Sequence, residues 1–306
     1  MPGDSAAYLA ARGPRIEAAL EAVMPPDGVL PGPLHEAMRY SLFAGGKRIR
    51  PLLVLASAEA VGGDIESVLP VACAVELIHT YSLIHDDLPS MDDSALRRGI
   101  PTCHVAFGEA LAILAGDALH ALAFELAART AERAGAAATL RAIQEIAAAI
   151  GTQGMVGGQV LDLLAEGRPS LGRFGAWPAD RRQGVYLIHR WKTAALIRAC
   201  VRSGAILSGA TALQLADLTA CGEHLGLAFQ IVDDILDETG DSGVLGKDTH
   251  RDATGDKLTF PLAFGLERSS AVAQEETGLA IAALAGWGES ADVLRGLAHT
   301  LLVREG

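Results

Sequence analysis

The chain has 306 residues, half of them hydrophobic and only 5% aromatic, which supplies enough apolar material for a large core and excludes a disordered or fibrous class. Its formal charge of −12 argues against a general nucleic-acid binder but leaves room for local basic pockets that hold small anions. Cys73, Cys103, Cys200 and Cys221 form no CxxC pair, so neither a zinc site nor a disulfide framework is signalled and reduced thiols are expected.

The opening stretch, "MPGDSAAYLAARG", has no basic region followed by an apolar one, and no apolar run reaches ~18 residues without a charge or histidine. A soluble, cytoplasmic protein with no membrane span is expected. Ala-rich and Leu-rich composition with few β-branched clusters predicts helix almost throughout. One helix is predicted over 51–63, with proline in its first turn and glycines at its end. The next is predicted over 65–88, stopped by Pro89. Further helical patterns cover 105–134, 139–151, 192–209 and 212–240, and "ADVLRGLAHTLLVRE" near the end is amphipathic. No linker, repeat or low-complexity tract divides the chain, so a single domain over 1–306 is the expectation. Several of these helices are apolar on most faces, which predicts burial inside a multilayer all-α bundle.

Two stretches break that pattern. "HDDLPSMDD" places four carboxylates in nine residues, and alone it would read as a solvated turn. "FQIVDDILDETGD" then places Asp233 and Asp234 inside another apolar helix, where solvation does not explain them. At ~100° per residue Gln230, Asp233 and Asp237 share a stripe of that helix. Burying such carboxylates without a cation costs several kcal/mol each, roughly, and hard oxygens from separate helices are what Mg²⁺ uses when it also bridges phosphates. An EF-hand is excluded by spacing. A diphosphate ligand would also need cations, and the chain supplies Lys47, Arg48 and Arg50 in "GGKRIRP", Arg97 and Arg98 in "LRRG", Lys192 in "RWKTA", and Lys247 and Lys257 in "LGKDTHRDATGDK".

With "SLIHDDLPSMDD", "GDAL", "GQVLDL", "KTAALIRA" and "FQIVDDILD" in that order, the chain resembles the trans-isoprenyl diphosphate synthases over about residues 35–265, most closely the bacterial farnesyl diphosphate synthases. The resemblance implies an antiparallel all-α bundle around a central cavity, usually a homodimer, with the two Asp-rich motifs facing each other. It implies Mg²⁺ ions, three in the family, held on an allylic diphosphate by Asp86, Asp92 and Asp233, with Asp87 and Asp237 as further candidates. Arg97, Lys192 with Thr193, Lys247 and Lys257 would grip that diphosphate, and Gln230 completes the second motif. Lys47, Arg50, His79 and Arg98 would hold isopentenyl diphosphate. Ser94 and Ala95 depart from the family, in which a further acidic residue is common there. Simple geometry also resists the first motif, since Asp86 and Asp92 lie ~120° apart in an ideal helix; Pro89 is expected to break the turn.

The predicted activity is head-to-tail coupling of isopentenyl diphosphate to dimethylallyl or geranyl diphosphate. Tyr81, ~7.5 Å along the helix axis from Asp86, is the expected floor of the product pocket, although Ser82 lies more nearly beneath Asp86. An aromatic at this place accompanies farnesyl synthases, so the fifteen-carbon product is expected and the twenty-carbon product is the alternative. A class I terpene cyclase would carry a different second motif, a non-catalytic subunit would have lost Asp motifs, and a metal-buffering helical protein would not need the ordered Arg/Lys set.

Overall fold

A computed structural model of the protein describes residues 5–26, 28–174, 177–239 and 257–302. Ordered structure among these residues is helical apart from one small hairpin. The helices are α1 (Ser5–Val23), α2 (Gly32–Leu42), α3 (Ile49–Ala60), α4 (Ile65–Asp86), α5 (Cys103–Phe107), α6 (Glu109–Arg129), α7 (Ala131–Ala134), α8 (Ala136–Ile150), α9 (Met155–Ala165), α10 (Arg181–Ile188), α11 (Ala195–Leu207), α12 (Ala212–Thr239), α13 (Phe260–Phe264), α14 (Leu266–Ala282) and α15 (Asp292–Leu302). Between α4 and α5, strands β1 (Leu96–Arg97) and β2 (Ile100–Pro101) pair antiparallel, with Arg97 opposite Ile100. Arg98 and Gly99 form the two-residue turn, both at positive φ (53° and 78°), the geometry that matches strand twist in a tight hairpin.

The centre of the molecule is α4, packed against α3, α6 and α11. Its apolar side chains point in every direction because it has a neighbour on nearly every side, and Leu77, Ile78 and Val75 are fully or almost fully buried. Asp64 starts it by accepting from the backbone N–H of Ser67 at 3.1 Å. It ends at Asp86, two residues short of the expected boundary, because the residue before a proline is driven out of the helical region and the chain already turns at Asp87. The helix expected over 51–63 begins two residues earlier, at Ile49. Helices α1, α2, α9, α10, α13 and α14 lie outside the stretches expected to be helical. A Gly-Pro pair lies within α1, and Gly-Pro also opens α2, so both read as breakers. A second apolar cluster, with Val185, Ile188, Leu227, Ile231, Phe260 and Val272, lies under α10, α12, α13 and α14 and seats the chain just after Lys257.

Two helical stretches, Ile65–Asp86 and Glu109–Ala134, are long and apolar enough to cross a membrane. The first is the core helix just described. On the second, Ile113 and Leu114 are exposed.

All four cysteines are buried and free. Burial pushes the thiols of Cys73, Cys200 and Cys221 up to about 12, from an ordinary value of 9.0. Between those values the folded protein keeps protons that the unfolded chain releases. Their contribution to stability is therefore complete below pH 9 and declines as pH rises towards 12. We expect the melting temperature to fall across this interval more steeply than in a variant with all three replaced by alanine; parallel curves would contradict the assignment. A disulfide-exchange reagent at pH 8 should leave these three thiols unmodified until the protein unfolds.

Candidate active site

The last turns of α4 place His79, Ser82 and Asp86 three to seven residues apart, on one face, and all three line a cavity of about 460 Å³. Beyond Asp86 the backbone doubles back. Asp92 N–H donates to the Asp86 carbonyl at 2.8 Å, Met91 and Asp93 donate to Leu88 at 2.8 and 3.0 Å, and Ser94 donates to Asp87 at 3.1 Å. This turn around Pro89, with Asp93 at φ 49°, brings the two ends of the motif together where a continuous helix would have kept them ~120° apart. Arg168, just beyond α9, holds the turn from outside by donating to the Ser90 and Met91 carbonyls at 3.0 and 2.5 Å, and it is itself paired with Glu166 at 2.6 Å. Sequence reasoning missed Arg168, which lies in no acidic or basic cluster.

Asp87 differs from expectation. The motif suggests a metal ligand here, but the side chain is buried and both of its oxygens accept from Arg97, at 2.7 and 2.8 Å, in a bidentate fork. Arg97 still borders the cavity, so the pair presents a guanidinium to it while Asp87 stays outside the lining. Asp92 pairs with Lys257, whose Nζ lies 3.6 Å from its carboxylate.

The opposite wall is α12. Asp233 and Gln230 line the cavity, and half-buried Asp237 follows one turn after Asp233. Asp234 is turned inward: it accepts from Phe260 N–H at 2.8 Å and Gln230 Nε2 at 2.9 Å, and His189 Nε2 lies 3.0 Å away. Gln230 in turn accepts from the Thr193 hydroxyl at 2.6 Å. Thr193 and Lys192 lie in a π-helical segment, His189–Ala194, a wide turn that re-aims side chains and recurs at functional sites. The expected helix over 192–209 thus begins with a π turn rather than a regular one.

Lys192 also lines the cavity and donates to Asp162 of α9 at 2.7 Å. Gly158 permits this approach, since a Cβ there would lie 2.3 Å from the Lys192 backbone nitrogen. Asp162, one turn on, meets the ammonium. Burial acts to lower the Lys192 pKa, but Asp162, with Asp86 and Asp92 farther off, outweighs it and holds the pKa above its ordinary value. Asp162 had a signal in the sequence, a lone carboxylate in the apolar run "GQVLDL", but no role was assigned to it.

On the side towards α3 the cavity is lined by Arg50, His79, Arg97 and Arg98. Burial, then Arg50, Arg98 and Arg97, drives the His79 pKa well below its ordinary value, so it stays neutral in a cationic neighbourhood. Burial and the surrounding guanidiniums of Arg48, Arg97 and Arg50 also lower Arg98. Cations crowded in this way favour a multiply charged anion between them. Lys47 is exposed and outside the lining, on the adjoining loop, and Lys247 lies outside the described residues.

Apolar side chains of Met155, Val156, Val160, Leu163 and Phe229 line the rest of the cavity together with the Tyr81 ring. Among the described residues no three His, Cys, Asp or Glu side chains converge into a metal cage. The donor set nonetheless fits magnesium, which takes few protein carboxylates when phosphates supply the remaining oxygens. Burial raises the Asp86 pKa, with Lys192 opposing it and Asp92 adding to it, so this carboxylate is held at a cost as an anion and would gain from a cation.

Two carboxylate walls across an apolar cavity, with a cationic pocket at one side, are the setting in which the comparisons fall. The polyprenyl synthetase model matches residues 31–284. The chain belongs to the polyprenyl synthetase family. The chain is 47% identical over 276 residues to geranylgeranyl pyrophosphate synthase 12 of Arabidopsis thaliana, covering 89% of this chain and 73% of the relative. It superposes on an FPP/GFPP synthase from Zymomonas mobilis with a TM-score of 0.85, at 38% identity over 99% of this chain and 100% of the other. A geranyltransferase from Helicobacter pylori, complexed with magnesium and isoprenyl diphosphate, matches with a TM-score of 0.83 at 32% identity, over 99% of this chain and 97% of the other. The chain is therefore a prenyltransferase of this family, with the all-α fold of these relatives.

Proposed function

We propose that the protein couples isopentenyl diphosphate head to tail to dimethylallyl and then geranyl diphosphate, in a magnesium-dependent reaction, and releases the fifteen-carbon product. Asp86, Asp92 and Asp233, with Asp237, would hold the metal, in up to three ions, on the allylic diphosphate; magnesium supplies neutralising charge as the C–O bond breaks. Lys192, fixed by Asp162, together with Lys257 and Arg97 stabilises the same developing charge. The apolar walls keep water from the allylic cation until the isopentenyl double bond attacks it, and the departing diphosphate takes the proton. Lys47, Arg50, Arg98 and neutral His79 bind the diphosphate of isopentenyl diphosphate.

The observation that carries the product length is Tyr81. It lines the cavity, only 8% exposed, with its ring 4.7 Å from that of His120 and that ring 5.3 Å from Phe124, so α6 backs the ring rather than open space. A second reading, the twenty-carbon product, is supported by the relative's name, geranylgeranyl pyrophosphate synthase. Incubation with magnesium, labelled isopentenyl diphosphate and dimethylallyl diphosphate, followed by chromatography of the dephosphorylated products, separates them. A dominant fifteen-carbon alcohol is expected; a dominant twenty-carbon alcohol favours the second reading, and no elongated product overturns both.

Homodimer formation is part of the proposal. Exposed Ile113 and Leu114 on α6 support it, since a second copy would cover them. Sedimentation as a monomer at the 31.8 kDa of one chain would contradict it.

A further inference from the structure

The loop 43–48 between α2 and α3 carries the exposed Lys47 and leads to Arg50, yet glycines form its centre. Gly45 and Gly46 have φ of 94° and 128°, and Gly46 lies so close to Arg98 that a Cβ would meet its guanidinium at 2.8 Å. A glycine loop of this kind is intrinsically loose, and an anion binding to loose cations loses part of its binding energy in ordering them.

Arg48 stands at the end of this loop and faces inward. It is 5% exposed, and its backbone is in the left-handed region (φ 49°, ψ 37°), which a residue with a side chain rarely holds unless the surroundings dictate it. Its guanidinium donates to Glu76 of α4 at 2.8 Å, to Glu17 of α1 at 2.7 Å and to the Leu42 carbonyl at 2.8 Å. Glu76 is itself buried and lies one turn before His79. A buried ion pair of this kind adds little net stability over apolar residues of equal volume, but it defines one relative placement of the parts it joins. Those parts are the loop bearing Lys47, the start of α3 bearing Arg50, and the face of α4 bearing His79.

We propose that Arg48 is the positioning residue of the isopentenyl diphosphate site: its bonds to Glu76 and Glu17 pin the glycine loop so that Arg50 stands with His79 and Arg98, and Lys47 is held on the adjoining loop, before the substrate arrives. The proposal rests on the assignment of that site given above. It is separate from chemistry at the allylic diphosphate, so it concerns one substrate's KM and not kcat.

The test is steady-state kinetics of the full chain with each substrate varied in turn. The variant is Arg48→Met combined with Glu76→Leu, which removes both buried charges and leaves neither orphaned; Glu17 is 44% exposed at its side chain and can be solvated. The expected result is a rise of roughly tenfold in the KM for isopentenyl diphosphate, with kcat and the allylic KM within about twofold of the parent. Amide hydrogen exchange in 43–48 should also accelerate, and Arg48→Lys should recover part of the loss. An unchanged KM for isopentenyl diphosphate, or an equal rise in both KM values, in a double variant that melts with the parent would overturn the proposal. Lys47→Ala distinguishes the two levels of failure. If it raises the allylic KM instead, the substrate assignment itself is wrong; if it raises the isopentenyl KM while the double variant does not, only the role of Arg48 is lost.

Discussion

Asp86→Ala and Asp233→Ala are each expected to lose turnover by roughly three orders of magnitude or more, the scale that follows when charge stabilisation of a leaving group is removed, while melting within a few degrees of the parent. Both side chains line the cavity rather than fill the core, so truncation opens no void. For Asp86 the burial that raises its pKa is an unfavourable term, and removing the carboxylate relieves it. Asp87→Ala should behave in the opposite way. It leaves half-buried Arg97 without the fork that holds it, so it should lower the melting temperature more and kcat less. Parallel kcat and thermal melts on the three variants check this. An Asp86→Ala protein that turns over near the parent rate would remove the metal assignment, and an Asp87→Ala protein as inactive as Asp86→Ala would return Asp87 to the metal ligands.

If the main product is the fifteen-carbon diphosphate as proposed, Tyr81→Ala is expected to move it to twenty carbons or more. Removing the ring joins the space it occupied to the cavity, at the depth where the growing tail would arrive, ~7.5 Å along the axis of α4 from Asp86. Tyr81→Phe is the control, because it keeps the floor and its contact with His120 and should keep the fifteen-carbon product. Product chromatography of the three proteins under identical substrate ratios is the measurement. An unchanged distribution in Tyr81→Ala would take the floor away from Tyr81, and would leave the position of Ser82, also on the lining, as the next candidate.

The helical class and the two acidic motifs were legible because carboxylates are conspicuous in apolar helices: Asp86 and Asp233 break runs that otherwise belong in a core. Asp162 breaks such a run as well but stands alone, and a single acidic residue does not reveal that a lysine thirty residues later will meet it. The division of labour between Asp86 and Asp87 was hidden for a different reason. Adjacent side chains on a helix point about 100° apart, so one faces the cavity while its neighbour faces whatever packs behind, and that partner, Arg97, is set by a hairpin turn the helical pattern gave no reason to expect. Likewise Arg48 lay inside the basic motif "GGKRIRP", but only the fold separates it from Lys47 and Arg50 by turning it towards Glu76. The π-helical turn at Lys192 left no mark in periodicity, because one extra residue shifts the pattern no more than ordinary scatter does.

The proposed reaction requires one diphosphate between the two carboxylate walls and the other on the basic side of the same cavity. A crystal structure of the protein with magnesium, isopentenyl diphosphate and a non-ionisable thio analogue of dimethylallyl diphosphate tests it most directly. Magnesium is expected to bridge the analogue's diphosphate to Asp86 and Asp92 on one side and to Asp233 on the other, with the isopentenyl diphosphate held by Lys47, Arg50, His79 and Arg98. Magnesium bound away from both Asp clusters, or the two diphosphates found in exchanged positions, would contradict it.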